Sequence, residues 1–167
     1  MSGALVALPV VLPLFGAGGT LMLSRRPRLQ GAVTVAILAA VETVSPTMAA
    51  TLDAAALCKM ADRGQITGGL LDGPLAFDNA ISIAAARTKG IVSEVAGQAD
   101  ILVVPDLESG NMLAKQLIFM GGAASAGIVL GAKVPVILTS RADSRDTRIA
   151  SCAIALMLAH HYRLSPP

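Results

Sequence analysis

The sequence predicts an α/β fold, a mostly parallel sheet with flanking helices, and three observations point there. Hydrophobic residues make up 54% of the chain but aromatics only 2%, so Ala, Val, Leu and Gly build the core. Charged residues contribute 14%, against about 25% in an average globular chain. Such small-residue packing suits parallel strands covered by helices on both faces, whose central strands read as continuous aliphatic runs. Short apolar runs also alternate with segments of helical spacing, the order that gives parallel strands with right-handed crossovers. With 167 residues, one hydrophobic core is the expectation.

Taken in order, the first segment stands apart. From Gly3 to Leu23 there is no charge, and the run ends in Ser24-Arg25-Arg26-Pro27-Arg28, the flank of a membrane helix on its cytoplasmic side. Pro9, Pro13 and the loose glycines Gly16, Gly18 and Gly19 oppose a helix there, and no basic residue precedes the run as in a signal peptide. A membrane contact through residues 3–23 and a non-spanning apolar leader both stay open. Gly16-Ala17-Gly18-Gly19 is not a dinucleotide fingerprint, since no strand leads into it and its third glycine is misplaced.

Val33 to Val41 then reads as a buried strand, closed by Glu42, Ser45 and Pro46 within a length too short to span a bilayer. Thr51 is expected to cap a helix whose Leu52, Ala56 and Met60 share a face, and Gly64 to end it. Ile66 to Leu71 is a second strand, broken by Asp72-Gly73-Pro74, and Asn79 to Lys89 is a further helix. Ile101 to Val104 is strand-like and stops at Pro105; Met112, Leu113, Gln116, Leu117 and Met120 follow at helical spacing. Ile128 to Leu130 and Val134 to Leu138 are β runs separated by Gly131-Ala132-Lys133. The last helix is expected from about Ser144 to Tyr162, with Ile149, Cys152, Ala153, Leu156 and His160 on one stripe.

Composition excludes some functions. A net charge of +2 with one Tyr and no Trp gives neither a basic stripe nor stacking platforms, so nucleic acid is set aside. Cys58 and Cys152 are too few and too far apart for a disulfide framework or a zinc site, which fits reduced thiols in a cytoplasm. No metal site is expected, and His160 and His161 receive no catalytic role.

In open α/β sheets ligands bind beyond the carboxyl ends of strands, where helix N-termini point at them. Three polar segments occupy such places: 72–78, 105–111 and 139–146. The third sets a hydroxyl (Ser140), a guanidinium (Arg141) and a carboxylate (Asp143) within four residues, with Ser144 at the start of the last helix. Arg141 is suited to bidentate phosphate binding. A capped helix with Asp143 and Asp146 balancing Arg145 and Arg148 is the equal alternative. Asp72, with Gly73 beside it, and Asp106 each follow a strand, so turn formation competes with ligand binding. Asn111 and Lys115 lie four apart on one helical face, as a ligand-facing pair or as an exposed polar face.

At these segments the chain resembles the phosphate acetyltransferase and phosphate butyryltransferase family. The resemblance covers residues 33–162, carried by AAVETV (39–44), LDAAALCKMADRGQI (52–66), GGLLDGPLAFDNAIS (68–82), SEVAGQADILVVPDLESGNMLAKQL (93–117) and VPVILTSRADS (134–144). It implies the two-domain architecture shared with isocitrate and isopropylmalate dehydrogenases, with substrates in the cleft between domains. The implied reaction converts acyl-CoA and phosphate into acyl phosphate and CoA. Coenzyme A and phosphate or acyl phosphate are then substrates, with no further cofactor, in a cytoplasmic homo-oligomer.

By the same resemblance Ser140 and Arg141 bind substrate beside the reacting thiol. The family's proposed base falls six residues past the arginine, at Thr147 here, so Asp143 is taken as the catalytic carboxylate with Asp146 in reserve. Asp72, Gly73, Asp106, Asn111, Lys115 and Ser144 are expected to bind substrate. Family members are roughly twice as long as the match, so a truncated copy is expected, with residues 1–30 a leader and 31–167 the C-terminal acyltransferase region. Weak or absent activity, or a non-catalytic interaction fragment, are alternatives. The leader LVALPVVLPLFGAGGTLMLSRRPRLQ resembles the N-terminus of the D subunit of multisubunit cation/proton antiporters, whence the rival reading of a membrane-anchored fragment.

Overall fold

The structure is a computed structural model and describes residues 20–21 and 33–164. The leader, its antiporter-like run and the Gly16-to-Gly19 cluster lie outside the described residues, apart from Thr20–Leu21, a two-residue strand β1. No helix among the described residues is long and apolar enough to cross a membrane. Residues 33–105 belong to one compact unit and residues 106–164 to a second.

The first unit is built on β2 (Val33–Leu38), the aliphatic run that predicts it. Parallel strands flank it, β3 (Gly69–Leu75) in register Val33↔Gly69 and β4 (Ile101–Val103) in register Val35↔Ile101. Ala36, Leu75 and Leu102 are 0%, 2% and 0% exposed, so the core sits on these strands. Thr34 fixes the approach to β4, its amide and hydroxyl donating to the Asp100 carboxylate at 2.9 and 2.8 Å.

Four expectations change here. The strand expected to break at Asp72-Gly73-Pro74 runs through it to Leu75. Among the described residues β3 pairs with β2 alone, and an edge strand tolerates a proline that lacks a donor. Gly73 is needed where it stands, because a Cβ there would come within 2.7 Å of the Ile37 carbonyl oxygen. Thr51 is not the cap of α1 (Ala49–Asp62); Met48 holds that position without a side-chain bond. Thr51 is instead buried in the first turn, accepting from the Ser45 amide at 2.9 Å and lying 2.8 Å from the Met48 carbonyl. The expected inner face of α1 is exposed at Leu52 and Met60, while Thr51 and Ala54 are buried, because the helix packs on β3 through small side chains. The helix expected over Asn79 to Lys89 is two, α2 (Phe77–Ile81) and α3 (Ile83–Thr88). Ser82 separates them, its hydroxyl capping α3 through the Ala85 amide.

The second unit holds α4 (Leu107–Phe119), β5 (Ile128–Val129), β6 (Val136–Ile137) and α5 (Arg145–Leu164). β5 and β6 pair antiparallel, Ile128 opposite Ile137, an antiparallel element beside the mostly parallel arrangement expected. The connection from Leu130 to Pro135 is far shorter than the dozen residues a parallel crossover needs. The apolar stripe expected to bury α5 is exposed at Ile149, Cys152 and Leu156, whereas Ser151 and Ala155 are buried.

Candidate functional site in residues 106–164

One face of α4, the strand ends and the start of α5 enclose a cavity of about 370 Å³ within this unit. Helix α4 contributes Leu107, Asn111, Ala114, Lys115, Ile118 and Phe119, positions three and four apart and so on one face. It starts at Asp106, whose carboxylate accepts from the Ser109 amide at 2.7 Å and its hydroxyl at 2.8 Å. The amide bond first, then the hydroxyl, holds the Asp106 carboxyl below the usual aspartate range. Asp106 therefore serves the helix, completing the turn-forming role that competes with ligand binding. Asn111 and Lys115 are exposed, and neither has a side-chain hydrogen bond or ion pair among the described residues. The Lys115 ammonium is a free cation beside the cavity.

The opposite wall is the chain leaving β6, Leu138, Thr139 and Ser140, with Ala142, Asp143 and Thr147 beyond it. Residues 140–143 form a self-bonded turn. The Ser140 amide donates to one Asp143 carboxylate oxygen, the Asp143 amide donates back to the Ser140 carbonyl at 3.2 Å, and the Ser140 hydroxyl accepts from the Ala142 amide at 3.3 Å. The other Asp143 oxygen has no bond among the described residues. Ser144 begins α5, its hydroxyl accepting from the Thr147 amide at 3.1 Å, so its oxygen is engaged in capping. Arg141 is exposed; its guanidinium is unpaired among the described residues and its carbonyl accepts from Arg148 at 3.5 Å.

The third wall, Ser125 to Gly127, is held by Ser151. This buried hydroxyl accepts from the Gly127 amide at 3.0 Å and donates to the Thr147 carbonyl at 2.7 Å. Gly127 in turn accepts from the Leu138 amide at 3.1 Å, and a Cβ at Gly127 would fall on the Leu138 carbonyl oxygen. Only glycine lets these segments meet.

The cavity thus gathers Asn111, Lys115, Ser140 and Asp143 from the predicted set. Arg141 lies in the adjoining turn and Ser144 just after it, neither of them lining the cavity, and Asp106 caps the start of α4. Asp72 and Gly73 belong to the other unit, inside β3, where the Asp72 carboxylate accepts from the Gly73 amide at 2.8 Å. Asp72 also bears on Cys58. Burial first, then the Asp72 and Asp62 carboxylates, push that thiol up to about 11, so it is a poor nucleophile. Sequence reasoning missed the apolar lining. Leu107, Ala114, Ile118 and Phe119 share the helical face of Asn111 and Lys115, so that spacing could have found them. No local signal points to Ser125–Gly127, which enter through the hairpin. Thr147, where the family's base would fall, does line the cavity, but it offers a hydroxyl 3.5 Å from Ser125. No group of three or more metal-ligating side chains occurs among the described residues.

One unit is an α/β arrangement of parallel strands with flanking helices, and the other carries a cavity whose lining includes an ammonium, a carboxylate and a hydroxyl. A model of the family described as phosphate acetyl/butaryl transferase matches residues 26–156. The chain belongs to this family. It is 67% identical over 129 residues to the phosphate acetyltransferase of Rickettsia felis, covering 77% of this chain and 37% of that protein. It is 50% identical over 125 residues to the phosphate butyryltransferase of Clostridium acetobutylicum, covering 75% and 42%. A solved structure, the branched-chain phosphotransacylase of Enterococcus faecalis, superposes with a TM-score of 0.68 at 35% identity, over 79% of this chain and 47% of that one. The chain spans about two fifths of the length of these curated relatives. The resemblance to an antiporter subunit finds no support in these comparisons.

Proposed function

We propose that the chain carries the phosphate- and thiol-handling part of a phosphate acyltransferase, which exchanges acyl groups between coenzyme A and inorganic phosphate. The convergence of Asn111, Lys115, Ser140 and Asp143 on one cavity carries this reading. Lys115 supplies charge to phosphate oxygens, with the Asn111 amide and the Ser140 hydroxyl as hydrogen-bond donors. Arg141, exposed in the adjoining turn, adds a second cation. A thiol with an ordinary pKa of about 8.5 needs a base to react near neutral pH. The free oxygen of Asp143 is placed to take that proton, and the bond from the Ser140 amide orients the carboxylate. The thiolate attacks the acyl carbon of the acyl phosphate, a C–S bond forms, the C–O bond breaks, and phosphate leaves onto Lys115 and Ser140.

Coenzyme A and phosphate enter as substrates, so the reading needs no separate cofactor. We place the boundary between leader and acyltransferase region near residue 30; the family match begins a little earlier, at residue 26. The finer expectation, an isocitrate/isopropylmalate dehydrogenase-like architecture in a cytoplasmic homo-oligomer, draws on family membership and on the parallel β3-β2-β4 arrangement.

The test is formation of acyl-CoA from acetyl or butyryl phosphate and CoA by the purified chain. Lys115→Ala and Ser140→Ala are expected to lower turnover by about 10²-fold or more, the usual cost of losing a donor to a developing charge. Absence of turnover at high protein concentration, with phosphate binding retained, removes catalysis by this chain and leaves a binding fragment. Wild-type rates in both variants refute the site.

A further inference from the structure

Resting on the acyltransferase reading, the cavity also has a chemical direction. Along α4 its polar members Asn111 and Lys115 come before Ile118 and Phe119, and Ser140, Asp143 and Thr147 add polar groups from the other wall, while Ala114, Ile118, Phe119 and Leu138 are apolar lining. Ala114 immediately precedes the ammonium and is 9% exposed, and Phe119 stands one turn beyond Lys115 at 73% exposure. A phosphate held by Lys115 and Ser140 leaves its acyl substituent next to this apolar stretch, and about 370 Å³ is more room than phosphate alone fills. We propose that Ala114, Ile118, Phe119 and Leu138 form the wall that receives the acyl group, and that Ala114 and Phe119 set the acyl length this site accepts.

The two residues act in different ways. A branched side chain at Ala114 takes room directly beside the phosphate position. Removal of the Phe119 ring takes contact surface from the open end. A pocket discriminates by about 10-fold or more for each methylene it fails to admit, so a change at Ala114 separates short from long ligands sharply.

The test uses the full chain and calorimetric titration with inorganic phosphate, then methyl-, ethyl-, propyl- and butylphosphonate as stable probes. The wild type is expected to gain about fourfold in affinity per added methylene until the wall is filled. In Ala114→Val the ratio of propyl to methyl affinity falls from roughly 16-fold toward unity. Because Ala114 is buried, circular dichroism first checks that this variant folds; Phe119→Ala, at an exposed position, gives an independent reading and lowers the gain at the longer chains. Affinities that ignore chain length in the wild type, or a gain untouched by both variants, overturn the acyl wall while phosphate binding stands. Failure to bind phosphate or any phosphonate overturns the acyltransferase reading of the cavity and this inference with it.

Discussion

The parallel strands of residues 33–105 bury Leu75 and Leu102 to 2% and 0% exposure, whereas the antiparallel pair of residues 106–164 leaves Val136 and Ile137 at 41% and 43%. Both regions set helices beside short strands, but the first has large aliphatic side chains inside. The second buries mainly Gly110, Ala114, Ala126, Ile128, Ser151 and Ala155. The second is also the region with the cavity. Its walls are fixed less by apolar area than by hydrogen bonds, those of Ser151 to Gly127 and Thr147 and that of Leu138 to Gly127. Stability and site construction thus rest on different physical terms, and substitution in each region distinguishes them.

The largest effect belongs to the first region. Leu102→Ala removes a fully buried side chain from β4 and is expected to cost about 2–5 kcal/mol, the range for leucine truncations in packed cores. Urea unfolding measures it directly. A loss below about 1 kcal/mol would show that the sheet does not hold the main core and would erase the contrast.

Next comes the hydroxyl that assembles the cavity. Ser151→Ala leaves the half-buried Gly127 amide without its acceptor, at a cost of about 1 kcal/mol. The informative readout is phosphate affinity, which is expected to fall because Ser125–Gly127 line the cavity. Phosphate binding that survives alongside a lowered unfolding midpoint would place Ser151 in stability alone and break the separation between regions.

This separation also explains which features the sequence made legible. Aliphatic runs locate strands because a buried strand must be apolar, so Val33–Leu38 and Ile101–Val103 fall where expected. Strand direction is another matter. The run at Val134 to Leu138 looks like the others, but the short turn before it folds it back against Ile128 and Val129. Helical periodicity found the apolar stripes of α1 and α5 but could not say what covers them, and in both helices the small residues face inward instead. At Asp72-Gly73-Pro74 the turn chemistry was real, yet an edge strand can carry a proline and a glycine that a central strand cannot. At the site, polar residues were legible as loop clusters after strands. Which clusters share a cavity was not, because no local pattern shows that Asp72 in β3 and Lys115 on α4 belong to different units.

The smallest effect is electrostatic and compares one carboxylate from each region. Asp78 is held below the usual aspartate range chiefly by its hydrogen bond from Lys89, at 3.2 Å, while Asp106 is held there chiefly by the Ser109 amide. A carboxyl lowered in the folded state adds stability above its unfolded pKa of about 3.9, and that stability is lost as pH falls through the folded value. Both contributions therefore disappear on the acid side, and neither changes near neutrality. Salt separates them. The Lys89–Asp78 pair is open to solvent and is screened at about 1 M ionic strength, where the Debye length is near 3 Å. The Asp106 bond to a backbone amide is short and local and persists. Acid unfolding of the wild type, Asp78→Asn and Asp106→Asn, each at low and high salt, is then expected to give a small acid-side loss that Asp78→Asn removes only at low salt and Asp106→Asn removes at both. Asparagine caps a helix about as well as aspartate, so the second variant tests charge while keeping α4 in place. Equal salt dependence of the two contributions would mean that the amide bond at Ser109 does not govern Asp106, and that both carboxylates respond to the general field of the surface.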